Sequence, residues 1–333
     1  MADVVGDRAD LRWLDAAARI STRARPLSRP NPGVGAIVVR DGVVVSRGWT
    51  QSSGRPHAEA VALSGVDARG ATMYVTLEPC AHVSARGPAC ADLVAASGLA
   101  RVVIGCGDPD PRTAGAGIAR IRGAGIAVEQ VDCPASRASL AGYLTQRVKG
   151  RPHVTLKLAM SLDGCIARAD GESQWITGPE ARAHTHAMRA QSDAILVGGG
   201  TLRADNPRLD VRLPGLEVQS PRRLVLTHGA VPDGWDALPS PQAIHGLRDD
   251  LYLFVEGGAG AASAFLRAGL VDRLLLYRAP ILIGGGRQGI GDYGLSALAQ
   301  AHDRWHKTDQ RQLGKDTLEI YEATPCLPAL SPL

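Results

Sequence analysis

The chain is poor in the features that mark several protein classes. Of its 333 residues only two are Phe, six Tyr and five Trp, so aromatic side chains make up 4% and any core must rest on Ala, Val, Leu and Ile. No apolar run approaches the roughly 18 residues of a membrane-spanning helix. No basic run of five or more occurs, and the formal net charge is only +4, which argues against a nucleic-acid partner. The first residues, MADVVGDRADLRWL, carry acids where a secretory signal needs a basic region and a long apolar stretch. The expectation is a cytoplasmic protein without a membrane partner.

What is present is ordinary for a globular chain: 45% hydrophobic and 21% charged residues, with a length that suggests two domains. Six cysteines in such a compartment favour metal binding or buried thiols over disulfides.

The first half alternates helix and strand signals. Leu11–Ala24 reads as a helix, and Val34–Val39 and Val43–Trp49 as a hairpin turning at Asp41-Gly42. A helix opens after His57. A strand over Ala71–Leu77 stops at Pro79, a helix starts at Cys90, and Arg101–Gly105 and 126–131 are further strands. Pro134–Lys149 forms a helical bridge, and Gly150-Arg151-Pro152 is the best boundary, separating residues 1–149 from 150–325. Residues 326–333, Pro-rich and containing Cys326, read as a disordered tail.

The second half is also α/β. Strands are expected over His153–Met160, Ala194–Val197, Arg223–Thr227, Leu251–Val255, Arg273–Tyr277 and Thr317–Tyr321, with helices over Glu180–Ala190 and Ala259–Ala268. The similar runs AILVGGG and APILIGGG read as two buried strands ending in tight turns.

Two constellations carry chemistry. His57-Ala58-Glu59 at a helix start, Pro79-Cys80 at a strand end and Cys90 at a second helix start supply three ligands for one Zn²⁺, with Glu59 as the catalytic proton carrier. Bound Zn²⁺ lowers the pKa of water from roughly 9 for the aqueous ion to about 7, which suits hydrolytic removal of a ring amine. A closed structural site with His82 as fourth ligand is the alternative. In the second half, glycines at strand ends let backbone approach a phosphate. Ser173, Arg189 and Arg212 could hold one by charge-assisted hydrogen bonds, with Asp205 as an acid or orienting group. There is no G-x-G-x-x-G after a first strand, and Gly198-Gly199-Gly200 alone is most simply a turn.

The runs NPGVGAIVV, PHAEAVAL, YVTLEPCAH and GPAC, and then KLAMSLDG, GESQWIT, MRAQSDAILVGGGTLRADNPRLDVR and VEGG, resemble the bifunctional deaminase–reductases of riboflavin biosynthesis. The resemblance implies an N-terminal cytidine-deaminase-like α/β/α domain and a C-terminal dihydrofolate-reductase-like α/β domain using NADPH. It implies zinc on His57, Cys80 and Cys90, Glu59 as proton donor, and Asn31 at the first substrate. It places NADPH against Ala159, Trp175, Thr201, Asp205, Gly257 and Gly258. The ribosyl phosphate substrate falls against Lys157, Ser173, Arg189, Leu209, Arg212 and Glu256. The implied reactions are hydrolytic deamination of 2,5-diamino-6-(5-phosphoribosylamino)pyrimidin-4(3H)-one and NADPH reduction of its ribosyl chain to ribityl. A homo-oligomer is compatible with this. The chain departs from the family in a Cys80–Cys90 loop one residue longer and in a shorter 228–250 stretch, which lacks an additional strand and helix. The rival readings are a deaminase with a weakened or non-catalytic second domain, a nucleic-acid deaminase and a structural-zinc binding protein.

Overall fold

The computed structural model describes residues 8–82 and 86–324. The chain divides into two compact units between Gly150 and Arg151.

The first unit is a five-stranded sheet between helices. Helix α1 (Arg8–Ser21) leads to the hairpin β1 (Gly35–Arg40) and β2 (Val43–Trp49). Asp41 and Gly42 both take positive φ, 51° and 75°, the backbone that a right-twisted two-residue hairpin requires. Then come α2 (Ala58–Leu63), β3 (Thr72–Val75), α3 (Cys90–Ala95), β4 (Arg101–Ile104), α4 (Ala116–Gly123) and β5 (Ala127–Gln130). Two further helices, α5 (Pro134–Ser139) and α6 (Ala141–Lys149), complete the unit. Sheet order is β2-β1-β3-β4-β5, antiparallel from β2 to β3 and parallel from β3 to β5. Leu14 and Ala17 of α1 pack on Ile37, Val39, Tyr74 and Val103 across one face. On β2, a Cβ at Gly48 would collide with the Ala58 carbonyl, so α2 lies directly on the strand.

The second unit holds an eight-stranded sheet. Its elements are β6 (His153–Met160), β7 (Cys165–Ala167), α7 (Pro179–Arg189), β8 (Ala194–Gly198), α8 (Gly199–Asp205), β9 (Arg222–Leu226), β10 (Asp236–Leu238) and β11 (Tyr252–Val255). They continue with α9 (Ala259–Arg267), β12 (Arg273–Arg278), β13 (Arg287–Gln288), β14 (Trp305–Leu313) and β15 (Asp316–Ala323). The order is β10-β9-β8-β11-β6-β12-β15-β14, parallel from β10 to β12 and antiparallel at β15 and β14. The central strands are buried on both faces, which is why AILV, YLFV and VTLKL read as near-continuous apolar runs. At the start of β6 the buried Arg151 guanidinium meets Asp272 at 2.6 and 2.9 Å, and the same carboxylate accepts the Val154 N–H at 2.9 Å.

Three expectations need correction. Gly199-Gly200-Thr201 is the first turn of helix α8, not a tight turn. The ILIGGG run is not a strand: β12 ends at Arg278, Leu282 is 75% exposed, and Gly284 and Gly285 take positive φ. The Asp163 carboxylate accepts the Ile283 and Gly284 N–H groups, at 3.2 and 2.8 Å, and holds this run as a loop. The shortened 228–250 stretch still carries a strand, β10, and a 3-10 turn at Pro241–Gly246. The expected disordered tail, with Cys326, lies outside the described residues.

Candidate active sites in the two units

In the first unit the structure brings His57, Cys80 and Cys90 together. One ligand atom from each lies within 4.8 Å of the others, and among the described residues no other His, Cys, Asp or Glu group does this. His57 is the N-cap residue of α2, Cys80 follows the end of β3, and Cys90 opens α3. His57 Nδ1 is 3.2 Å from Cys90 Sγ and 3.6 Å from Cys80 Sγ, and the Cys90 N–H donates to Cys80 Sγ at 3.3 Å. The hydrogen bond between the two thiols draws Cys80 down, while the same bond and burial push Cys90 up. One nitrogen and two soft sulfurs at this spacing fit the three-ligand arrangement of a catalytic zinc. His82 lines the same cavity but does not join the group, so the closed four-ligand site is not formed.

Glu59, on the first turn of α2, is buried, and desolvation raises its pKa against the opposing pull of His57. It faces a cavity of about 190 Å³ that Asn31 also lines. Asn31 is fixed in a turn, its N–H donating to Ser28 O at 3.0 Å.

Three residues in or behind this cavity escaped sequence reasoning. Glu78 does not join the His57–Cys80–Cys90 group. Its carboxylate accepts the N–H groups of Gly115, Gly117 and Ile118, at 3.1, 3.0 and 3.2 Å, and caps α4. Asp108 accepts the Tyr143 hydroxyl at 2.8 Å, and burial pushes its carboxyl up to about 6. Asp110 pairs with Arg112 at 2.6 Å and Arg147 at 3.2 Å, and the Arg112 hydrogen bond holds it down at about 2. The available signal was Gly107-Asp108-Pro109-Asp110-Pro111 directly after β4, since ligands bind beyond the carboxyl ends of parallel strands.

In the second unit one cavity of about 750 Å³ lies at the carboxyl ends of β6, β8 and β11. Lys157, Ala159, Ser173, Trp175 and Arg189 line it, as do Thr201, Asp205, Arg212, Glu256, Gly257 and Gly258. Glu256 is the electrostatic centre. Arg189 grips it through Nε at 2.5 Å and Nη2 at 3.0 Å, and Lys157 Nζ lies 3.8 Å away. Burial opposes its ionised form, but Arg189 and Lys157 overcome that and hold the carboxyl below its ordinary range. Burial in turn lowers Lys157. Trp175 is 65% exposed and lies under the Arg182 guanidinium, 4.7 Å from the ring centroid. Asp205 ends α8 and is exposed. Leu209 departs from the expectation: with φ of 53° its side chain turns into the apolar core and does not line the cavity. Arg182 and His186 line the cavity and were missed as site residues, because an Arg or His on a helix is by default a surface residue.

Residues 7–106 match the family model described as the cytidine and deoxycytidylate deaminase zinc-binding region. Residues 152–238 and 245–318 match the RibD C-terminal domain. The riboflavin biosynthesis protein RibD of Escherichia coli is 37% identical over 344 residues, covering 88% of this chain and 94% of that protein. The chain belongs to the RibD family. RibD of Mycobacterium tuberculosis is likewise 37% identical over 321 residues, covering 90% of this chain and 93% of that one. Among solved structures, Acinetobacter baumannii RibD superposes with a TM-score of 0.83 at 32% identity, covering 95% of this chain and 99% of that chain. A Thermotoga maritima protein described as a diaminohydroxyphosphoribosylaminopyrimidine deaminase/5-amino-6-(5-phosphoribosylamino)uracil reductase gives 0.83 at 30% identity, with the same coverage. The two units are thus the deaminase and reductase domains of a RibD chain.

Proposed function

We propose that the chain catalyses two consecutive steps of riboflavin synthesis on one phosphorylated molecule. The first is hydrolytic deamination of 2,5-diamino-6-(5-phosphoribosylamino)pyrimidin-4(3H)-one. The second is NADPH reduction of the ribosyl chain of the product. The observation that carries this reading is the His57–Cys80–Cys90 cluster, with buried Glu59 beside it, in a chain that also holds the Lys157–Glu256–Arg189 cavity.

His57, Cys80 and Cys90 would hold one zinc ion, which when bound supplies the Lewis acid that makes water a nucleophile at neutral pH. Glu59 takes one proton from the attacking water and gives it to the ring nitrogen. It then carries the second proton, from the hydroxyl added to the ring carbon, to the leaving amine, so that a carbonyl forms and ammonia departs. Its burial raises its proton affinity and suits it to this shuttle. Asn31 orients the ring, and the arginines of the cavity, Arg55, Arg86, Arg112 and Arg147, place positive charge where the phosphate arrives.

In the second domain bound NADPH would supply the hydride for C1′ of the sugar, reached as an open-chain imine whose nitrogen takes a proton from solvent. The Gly257-Gly258 turn, Thr201, Ala159, Trp175 and Asp205 line the cofactor's side. Gly258 is the N-cap of α9, and a Cβ at Gly257 would collide with Ala261, so this turn packs tightly on the helix start while both glycines line the cavity. Lys157, Glu256, Ser173, Arg189 and Arg212 hold and orient the ribosyl phosphate substrate. The enzyme works in the cytoplasm on small molecules; no helix among the described residues is long and apolar enough to cross a membrane.

A coupled assay tests the reading. Wild-type protein should release ammonia from the diaminopyrimidinone and then consume NADPH. Glu59→Gln should lose deamination by roughly 10²- to 10⁴-fold while keeping its zinc and the reduction of deaminated substrate. Full deaminase activity in that variant would refute the proton-shuttle role. No NADPH consumption at saturating deaminated substrate would leave a deaminase with a non-catalytic second domain.

A further inference from the structure

His186 sits on the face of α7 that lines the reductase cavity, one turn before Arg189. Its ring contacts three groups. Nδ1 is 3.1 Å from the Asp210 carbonyl and 3.3 Å from the Arg212 N–H, and Nε2 is 3.3 Å from Arg212 Nη2. A guanidinium nitrogen can only donate, so Nε2 must present its lone pair to Arg212. Nδ1 faces the Asp210 carbonyl and the Arg212 N–H donor at once. With Nε2 accepting from Arg212, the ring proton lies on Nδ1 and serves the shorter contact, the Asp210 carbonyl. The longer 3.3 Å contact with the Arg212 N–H is not a hydrogen bond of this tautomer. The imidazole is therefore a neutral bridge between the Asp210 carbonyl and the Arg212 side chain.

The surroundings favour that neutral form. Arg189 donates to the same Asp210 carbonyl through Nη1 at 2.9 Å, and Arg212 stands on the other side. Asp210 and Glu256 are the acidic groups facing this cluster, and both are committed to arginines, Asp210 to Arg208 at 2.7 Å and Glu256 to Arg189. Arg212 itself is half exposed, and its only carboxylate among the described contacts is Asp210 Oδ1 at 3.4 Å. Without an acceptor at Nε2, this long side chain would be free to leave the cavity for solvent.

We propose that His186 is a positioning residue of the reductase, which as a neutral Nδ1–H imidazole aims the Arg212 guanidinium at the phosphate monoester of the substrate. This rests on the reading of Arg212 as a phosphate contact given above. His186 acts through Arg212. It keeps Arg212 at the wall of the cavity that Arg189 and Ser173 also line, and so lowers the ordering that binding must otherwise impose.

The test follows NADPH oxidation by the full-length protein with the phosphorylated ribosylaminouracil and with its dephosphorylated counterpart. His186→Phe keeps the ring volume and removes both nitrogens. His186→Gln can return an acceptor near the Nε2 position. The expected result for His186→Phe is a KM for the phosphorylated substrate raised roughly tenfold, the loss of about one charge-assisted hydrogen bond. The rise in KM should exceed any change in kcat, and His186→Gln should recover most of it. Neither substitution should alter KM for the dephosphorylated compound. An unchanged KM in His186→Phe, a loss confined to kcat, or a His186→Gln no better than His186→Phe would overturn the proposal. A wild-type enzyme that does not distinguish the two compounds would instead refute the phosphate reading of Arg212 itself. If His186→Phe fails to fold by thermal melting, the His186→Gln comparison with wild type, expected within about twofold in KM against roughly tenfold for His186→Leu, decides the matter.

Discussion

Glu78 and Gly117 meet across the first domain, the carboxylate accepting the glycine N–H at 3.0 Å. The same carboxylate takes the N–H groups of Gly115 and Ile118 and, at 3.4 Å, of Asp108, so it serves as the acceptor for the N-terminus of α4. A Cβ on Gly117 would collide with the carbonyl of Pro79, the residue between Glu78 and the proposed metal ligand Cys80. Glu78→Ala should therefore cost about 3 kcal/mol in urea unfolding, since it strands several buried donors at once. Glu78→Gln, which keeps one acceptor oxygen, should cost clearly less. Equal losses would mean that the helix is capped by other means.

Removing a metal ligand should separate the two activities. Cys90→Ser replaces a soft sulfur by a hydroxyl, and zinc measured by mass spectrometry should fall from about one per chain to well below it. Ammonia release should disappear, whereas NADPH oxidation with deaminated substrate should persist at the wild-type rate. Stoichiometric zinc in Cys90→Ser would exclude this thiol as a ligand.

Asp108 offers a pH test. Its folded carboxyl lies near 6, above an unfolded value near 3.8, so the folded chain binds the extra proton between those values. Its contribution to stability is therefore fully present below about pH 4 and is lost as the pH rises through 6. Asp108→Asn keeps an acceptor for Tyr143 and removes the charge. It should stabilise the protein at pH 7.5 by on the order of 2 kcal/mol and leave it unchanged near pH 4, as read from urea midpoints at the two pH values. A gain of the same size at both would assign the effect to something other than ionisation.

Arg151 and Asp272, both buried, form the ion pair that begins β6. Arg151→Met should leave the buried Asp272 carboxylate without its guanidinium partner, at a cost of about 3 kcal/mol. Arg151 and Val154 hold the Asp272 pKa below its usual range despite burial, so this stability is present above the unfolded carboxylate pKa and fades as the pH falls below it. Acid unfolding of Arg151→Met should accordingly be shallower than that of wild type. An unchanged acid limb would show that the pair contributes nothing to it.

Much of this was legible in the residues. The Asp41-Gly42 turn, the His57 helix start and the buried central strands follow local rules of turn chemistry, capping and apolar runs, and these the chain obeys. Less legible were features set by distant partners. β14 alternates polar residues and is a strand because β15 pairs with it from Trp305 to Leu313. The ILIGGG run has strand composition, yet Asp163, some 120 positions earlier, claims its N–H groups. Leu209 illustrates the same limit at a site: its motif position suggested a ligand contact, and a left-handed backbone turns the side chain into the core. Glu78 stands beside Pro79-Cys80 in the chain but caps α4, which arrives from nearly forty positions away.

Strand β2 has two unequal ends. Val43, Val44 and Val45 are 64, 41 and 37% exposed, while Gly48 presses against the backbone of the helix that carries His57 and Glu59. In a randomised library of this strand, selection for ammonia release should accept most polar replacements at the three valines and return glycine alone at position 48. A few residues of one strand thus hold both the freest and the most constrained letters around the first active site.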